Sequence, residues 1–143
     1  MVYADTSLLV SYYVSDTLSG QAQALIQATT DPLVFTGLHR LELRNAFSLG
    51  IFRKVLSPAQ AQAAWSDIER DIQAGRLFPT VVNWVPVFRI GAQWAGQHTA
   101  AIGCRSLDIL HVAAARKLGA ARFLSFDGRQ RSLAQLLGLT VRP

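Results

Sequence analysis

Nine acidic residues are spread over 143 positions, and four of them stand where a charge needs a reason. Asp5 follows the apolar stretch VYA (2–4) and precedes Thr6, Ser7 and a second apolar run. Asp127 closes the apolar run ARFLSF (121–126). Glu42 interrupts the apolar helix pattern LHRLELRNAF, one turn before Asn45, and Asp108 falls in the first turn of SLDILHVAAA. A buried lone carboxylate is costly unless it is paired, hydrogen-bonded or bound to a metal. Each acid has a structural explanation when taken alone: a turn, a cap, a solvated helix position, or charge favoured at a helix N-terminus. Four acids placed at the most apolar elements of an acid-poor chain suggest a shared task. Clustered carboxylates repel one another, and a divalent cation relieves that repulsion. Oxygen-only donors suit Mg²⁺ or Mn²⁺ and not a zinc ion held by Cys and His. Such a centre would orient a phosphodiester, activate a water and stabilise charge on the transferring phosphoryl group.

The elements that would position these acids can be traced along the chain. Residues 2–4 read as a short buried strand, and Thr6 or Ser7 as the cap of a helix over SLLVSYYV. Residues 19–29 read as a second helix with Ser19 as its cap, broken by Asp31-Pro32. LVF (33–35) reads as a strand. Thr36 caps LHRLELRNAFSLGIFR, whose Leu38, Leu41, Asn45, Leu49 and Phe52 share a face. Ser57-Pro58 opens a helix with an apolar stripe of Ala61, Ala64, Trp65, Ile68 and Ile72, stopped at Gly75. LFPTVV (77–82) reads as an edge strand, because Pro79 cannot donate to a ladder. Pro86 opens a helix running through Trp94 towards Thr99, and Ser106 caps SLDILHVAAARKLG up to Gly119. ARFLSF is a strand ending directly at Asp127, RQRSLAQLLG a helix, and LTV (139–141) a last strand.

Strands and helices therefore alternate, and the strands are short and continuously apolar. That pattern predicts an α/β domain whose parallel sheet is covered by helices on both faces. No repeat, low-complexity tract or linker interrupts it, so residues 1–143 read as a single domain. In such sheets the carboxyl ends of the strands line the functional crevice, where Asp5 and Asp127 would both face.

Bulk properties narrow the classes. Half of the residues are hydrophobic and 16% are charged, which excludes a disordered tail. The net charge of +5 rests on 14 basic residues, twelve of them arginine. Arginine matches phosphate geometry, so an anionic partner is plausible, although an arginine-rich surface explains the charge equally well. Cys104 is the sole cysteine, which rules out an internal disulfide and a Cys-based zinc site. Neither a signal peptide nor a membrane-spanning run is recognisable, and a soluble cytoplasmic protein is the expectation.

The pieces YADTSLLV, LELRNAF, SLDILHVAAARKLGA and FLSFDGRQRSLAQLLGL, in this order over nearly the whole chain, resemble the PIN-domain ribonucleases. Within that family they are similar to the VapC toxins of toxin–antitoxin pairs. The last two pieces are the most specific, because they match in local context as well as in the acid. The resemblance implies a three-layer α/β/α, Rossmann-like PIN domain with a central parallel sheet. It implies a Mg²⁺- or Mn²⁺-binding site made by Asp5, Glu42, Asp108 and Asp127, with Asp5 and Asp108 as the foremost direct ligands. Glu42 would lie close by, and Asp127 would bind directly or through water. The implied activity is endonucleolytic RNA hydrolysis by metal-activated water, with a carboxylate or a metal-bound hydroxide as base. Thr6 or Ser7 would support the first acid by a hydrogen bond, Ser7 being the better candidate. The implied partners are a cognate VapB-like antitoxin that blocks the site, operator DNA reached only through the antitoxin, and a second copy of the chain in a homodimer.

Other residues are weighed against plainer roles. His111 packs against the sheet more readily than it shuttles protons, while His39 is placed to orient Glu42 or meet substrate. His98 is expected to face solvent. Asn45, one turn after Glu42, is a candidate supporting donor. Arg44, Arg105 and Arg129 are the candidate contacts to the RNA backbone, with Arg40, Arg53 and Arg131 nearby. Trp65 fits the core of its helix, and burial is the default for Trp84. Tyr12 and Tyr13 offer an antitoxin or dimer surface.

Competing functions can be ranked. A non-catalytic PIN-fold binding protein would be favoured by a missing carboxylate, and all four are present. A PIN nuclease of RNA processing outside any toxin pair is the nearest alternative. A phosphatase or DNA-directed nuclease is compatible with the same acids. A nucleotide-binding Rossmann protein is disfavoured, because DTS and not a Gly-x-Gly-x-x-Gly turn follows the first strand.

Overall fold

A computed structural model describes residues 1–142. The element order is β1 (Val2–Ala4), α1 (Thr6–Tyr13), α2 (Ser19–Gln27), β2 (Leu33–Phe35), α3 (Gly37–Phe52), α4 (Pro58–Gln73), β3 (Leu77–Pro79), α5 (Trp84–Ile102), α6 (Ser106–Lys117), β4 (Arg122–Leu124), α7 (Gly128–Leu136) and β5 (Thr140–Arg142). The chain forms two compact units, one of residues 1–5 with 81 onward, the other Thr6–Thr80.

In the first unit β4 pairs in parallel with β1 on one side and with β5 on the other. Val2 stands opposite Arg122, and Ala4 opposite Leu124. Parallel neighbours need a crossover, supplied between β4 and β5 by α7. Tyr3 and Phe123 are fully buried and stack with ring centroids 5.8 Å apart. Helix α5 ends where Gly103 adopts φ +77, a left-handed conformation that glycine takes without steric cost. That turn delivers Cys104 and Arg105 to the start of α6.

In the second unit β2 and β3 pair in parallel, Leu33 opposite Leu77, with α3 and α4 as the crossover. Thr36 caps α3 as its position predicts, and Ser57 caps α4, with Gln60 returning a bond to the Ser57 N–H. The α4 stripe is buried at Ala61, Ala64, Trp65 and Ile68.

Four local expectations are corrected. The buried face of α3 is His39, Leu43, Phe47 and Gly50, whereas Leu41 and Phe52 are 67% and 82% exposed. Ser19 is the first residue of α2 and not its cap; Asp16 Oδ1 instead accepts from the Leu18 N–H at 2.7 Å. Ser106 likewise lies inside α6, whose cap position is Arg105. Strand β4 stops at Leu124, three residues before Asp127, because Ser125 turns the chain: its Oγ accepts from the Asp127 N–H at 3.0 Å.

Candidate functional site

Three of the expected acids belong to the first unit. Asp5 follows β1 directly, is 5% exposed, and donates its N–H to the Leu124 carbonyl at 2.9 Å. The ends of β1 and β4 are thereby tied, so Asp5 and the 125–127 turn leave the paired strands at the same, carboxyl edge. Asp127 is the cap of α7: Oδ1 accepts from the N–H groups of Arg129 and Gln130 at 2.8 and 3.0 Å. Its Oδ2 has the Arg129 guanidinium 4.0 Å away.

Asp108 lies in the first turn of α6. Its Oδ2 accepts from the Arg105 N–H at 3.1 Å and from Arg105 Nε at 3.1 Å, and Oδ1 meets the terminal nitrogen of Arg105 at 3.4 Å. Capping therefore explains its backbone bond, and the guanidinium fork adds a second, side-chain one.

Cys104 reports on the field here. Burial pushes its thiol up from the ordinary range, the charges of Asp108 and Asp127 push it further, and Arg129 opposes them. Both carboxylates thus raise the same thiol.

Sequence reasoning passed over Gln130. It is fully buried, and its Nε2 donates to the Asp108 carbonyl at 3.2 Å. The start of α7, which Asp127 caps, is thereby fastened to the start of α6, which carries Asp108. A glutamine among arginines, three residues after the acid, was its only signal in the sequence. Ser125 is the other omission, fully buried and bonded to Asp127 by its hydroxyl.

In the second unit Glu42 Oε2 accepts from the Thr6 hydroxyl at 2.6 Å. Ser7 and Asn45 are both exposed. His39 serves the cap of α3: it is fully buried, takes the Thr36 N–H on Nδ1 at 3.0 Å, and stacks on Phe35. Arg44 sits over Trp65, its guanidinium carbon 3.4 Å from the ring centroid, and Arg40 sits 5.5 Å from the same ring. In the first unit His111 is a core residue, with Nδ1 2.9 Å from the Tyr3 hydroxyl. Trp84 is half-buried beside Phe88.

Among the described residues, no three His, Cys, Asp or Glu side chains already stand in an arrangement that holds a metal ion. The donor chemistry nevertheless fits a hard divalent cation. The acids of the first unit offer only carboxylate oxygens, and the two backbone N–H groups at the α7 entrance both go to Oδ1 of Asp127, not to Oδ2. At Asp108 the positive charge is currently that of Arg105. No helix among the described residues is long and apolar enough to cross a membrane.

The PIN domain family model matches residues 2–136. No curated protein matches the sequence. Among solved structures, FitAcB from Neisseria gonorrhoeae aligns with a TM-score of 0.69 at 16% identity, over 100% of this chain and 97% of that one. VapC20 from Mycobacterium tuberculosis, a toxin that cleaves the sarcin-ricin loop, aligns with a TM-score of 0.67 at 20% identity, over 100% of both chains. VapBC2 from Rickettsia felis, solved with a fragment of its promoter DNA, aligns with a TM-score of 0.60 at 14% identity, over 99% and 98%. These likenesses carry the fold: the α/β architecture expected from the sequence is the PIN fold.

Proposed function

The chain belongs to the PIN domain family, and from that premise we propose that it is a Mg²⁺- or Mn²⁺-dependent endoribonuclease, the toxin of a VapBC-type pair. One observation carries the reading. Asp5 and the turn to Asp127 leave two parallel strands at the same edge, and Gln130 ties the α7 entrance that Asp127 caps to the α6 entrance that carries Asp108.

Asp5, Asp108 and Asp127 are the residues that would hold the cation. When bound, it would supply the positive charge that lowers the pKa of a water and offsets charge growing on the phosphoryl group. Asp127 approaches the task with Oδ1 committed to the α7 cap, which orients Oδ2. Gln130 holds the α6 end that presents Asp108. Glu42 is the fourth acid of the family pattern, and the Thr6 hydroxyl fixes its carboxylate. Arg105 and Arg129, both more than half exposed, are the cations beside these acids for an RNA backbone, and Arg44, in the second unit, is a candidate by residue type alone.

The solved FitAcB and VapBC2 assemblies support an antitoxin of VapB type as the cognate partner, with operator DNA bound through it. Exposed Val81, Val85 and Phe88 in the first unit, and Phe52 and Val55 in the second, offer apolar surface for an antitoxin or for a second copy in a homodimer.

The test is cleavage of total cellular RNA by the purified, antitoxin-free protein, with Mg²⁺ or Mn²⁺ and with EDTA, beside Asp5→Asn. Discrete metal-dependent fragments that vanish in Asp5→Asn are expected. If folded wild-type protein cuts every RNA pool no faster than Asp5→Asn does, a binding role replaces this reading.

A further inference from the structure

Arg105 immediately precedes α6, and its side chain is 73% exposed, yet its guanidinium reaches back to a carboxylate that is 13% exposed. Nε faces Asp108 Oδ2 at 3.1 Å, and a terminal nitrogen faces Oδ1 at 3.4 Å. Both oxygens thus face a permanent cation. A divalent ion held by Asp108 needs lone pairs of those same oxygens and repels a guanidinium at close range. The two cations compete for one carboxylate.

We propose that Arg105 is the resident counter-ion of Asp108, displaced when metal binds and then available to a phosphate of the RNA backbone. The proposal rests on the reading of Asp108 as a metal ligand. The geometry favours exchange over a permanent pair. The arginine end of the pair is 73% exposed, so water can take over the guanidinium as it leaves the carboxylate. A long arginine stem anchored at a helix entrance can carry its charge from the carboxylate to a nearby phosphate without backbone movement. The helix keeps its cap throughout, because the Arg105 N–H to Asp108 bond belongs to the backbone.

The experiment compares Mn²⁺ binding by apo wild type, Arg105→Ala, Arg105→Lys and Asp108→Asn, using calorimetry and the electron spin resonance of unbound Mn²⁺. Circular dichroism checks the fold of each. Arg105→Ala is expected to bind Mn²⁺ about three- to tenfold more tightly than wild type, with Arg105→Lys in between. Binding of a fluorescent 2′-O-methyl oligoribonucleotide at saturating Mn²⁺ should weaken in Arg105→Ala, and its salt dependence should flatten by about one phosphate contact. Equal or weaker Mn²⁺ binding by Arg105→Ala, with wild type binding normally, overturns the exchange and leaves the metal reading standing. Unchanged oligonucleotide binding overturns the second position of the arginine. Mn²⁺ binding that is absent from folded wild type and Arg105→Ala, or untouched by Asp108→Asn, overturns the metal reading and the exchange with it.

Discussion

Gln130 and Asp108 are 22 residues apart in sequence, and the Gln130 Nε2 donates to the Asp108 carbonyl at 3.2 Å. This bond ties the entrance of α7 to the entrance of α6. The other amide atom, Oε1, is buried with no hydrogen-bond partner among the described residues. A buried orphan acceptor is costly, so Gln130 is retained at some expense to stability. Gln130→Ala removes the donor and leaves a cavity, and should destabilise by about 2–4 kcal/mol. Gln130→Met fills the volume and removes the orphan oxygen, and should lie within about 1 kcal/mol of wild type. Thermal and urea unfolding measure both. RNA cleavage by the folded Gln130→Met protein should nonetheless fall, because the α6 entrance has lost its tether. Full activity in that variant would make Gln130 a packing residue only.

Asp127 has two separable tasks. As the cap of α7 it accepts two backbone N–H groups. Asp127→Ala should therefore cost about 1 kcal/mol, and Asp127→Asn only about a few tenths, since asparagine caps nearly as well. As a cation ligand it needs its charge, so both variants should lose RNA cleavage alike. Stability measured beside cleavage decides the matter. An active Asp127→Asn would reduce the residue to its cap.

The bond from Thr6 to Glu42, at 2.6 Å, is short enough to be charge-assisted. Thr6→Val keeps the shape and deletes the donor, and Thr6→Ser keeps the donor. Supporting hydrogen bonds at metal carboxylates are typically worth about 10–100-fold in affinity or activity. Thr6→Val should lose cleavage on that scale, with Thr6→Ser close to wild type. Equal activity in the two would show that the hydroxyl does not matter to Glu42.

Much of the fold was legible because short apolar strands alternate with capped helices, and the caps at Thr36 and Ser57 sit where their residue types demand. Helix α3 shows the limit. Leu38, Leu41, Leu49 and Phe52 form one apolar stripe, while His39, Leu43 and Phe47 form another, and periodicity cannot choose between two apolar faces. The choice is made by the Thr36–His39 cap, which turns His39 and hence Leu43 inward. Leu43→Ala should cost about 2–5 kcal/mol, and Leu41→Ala less than about 0.5. The four acids stand out in the sequence because each marks the end or interruption of an apolar element. The Gln130 tether and the Arg105 fork do not, since both depend on which helix entrances the turns bring together.

The loop between α1 and α2 carries a pH signature. Partial burial tends to raise the Asp16 carboxyl, but bonds from the Ser11 hydroxyl, the Leu18 N–H and Ser19 outweigh it and hold the group below its ordinary value. A depressed folded-state pKa means that the unfolded chain takes up the proton first as pH falls. The charged form therefore adds stability above the unfolded pKa of about 3.9. That contribution fades through the range below it and is gone once the folded group is protonated. Asp16→Asn keeps an acceptor oxygen and removes the charge. Wild type should melt above Asp16→Asn by a near-constant margin from about pH 7 to about pH 5, and the margin should close as pH drops below about 4. Melting curves across that range test the sign directly. A margin that stays constant down to about pH 3 would show that the Asp16 charge contributes nothing, and that the loop is held by the neutral hydrogen bonds alone.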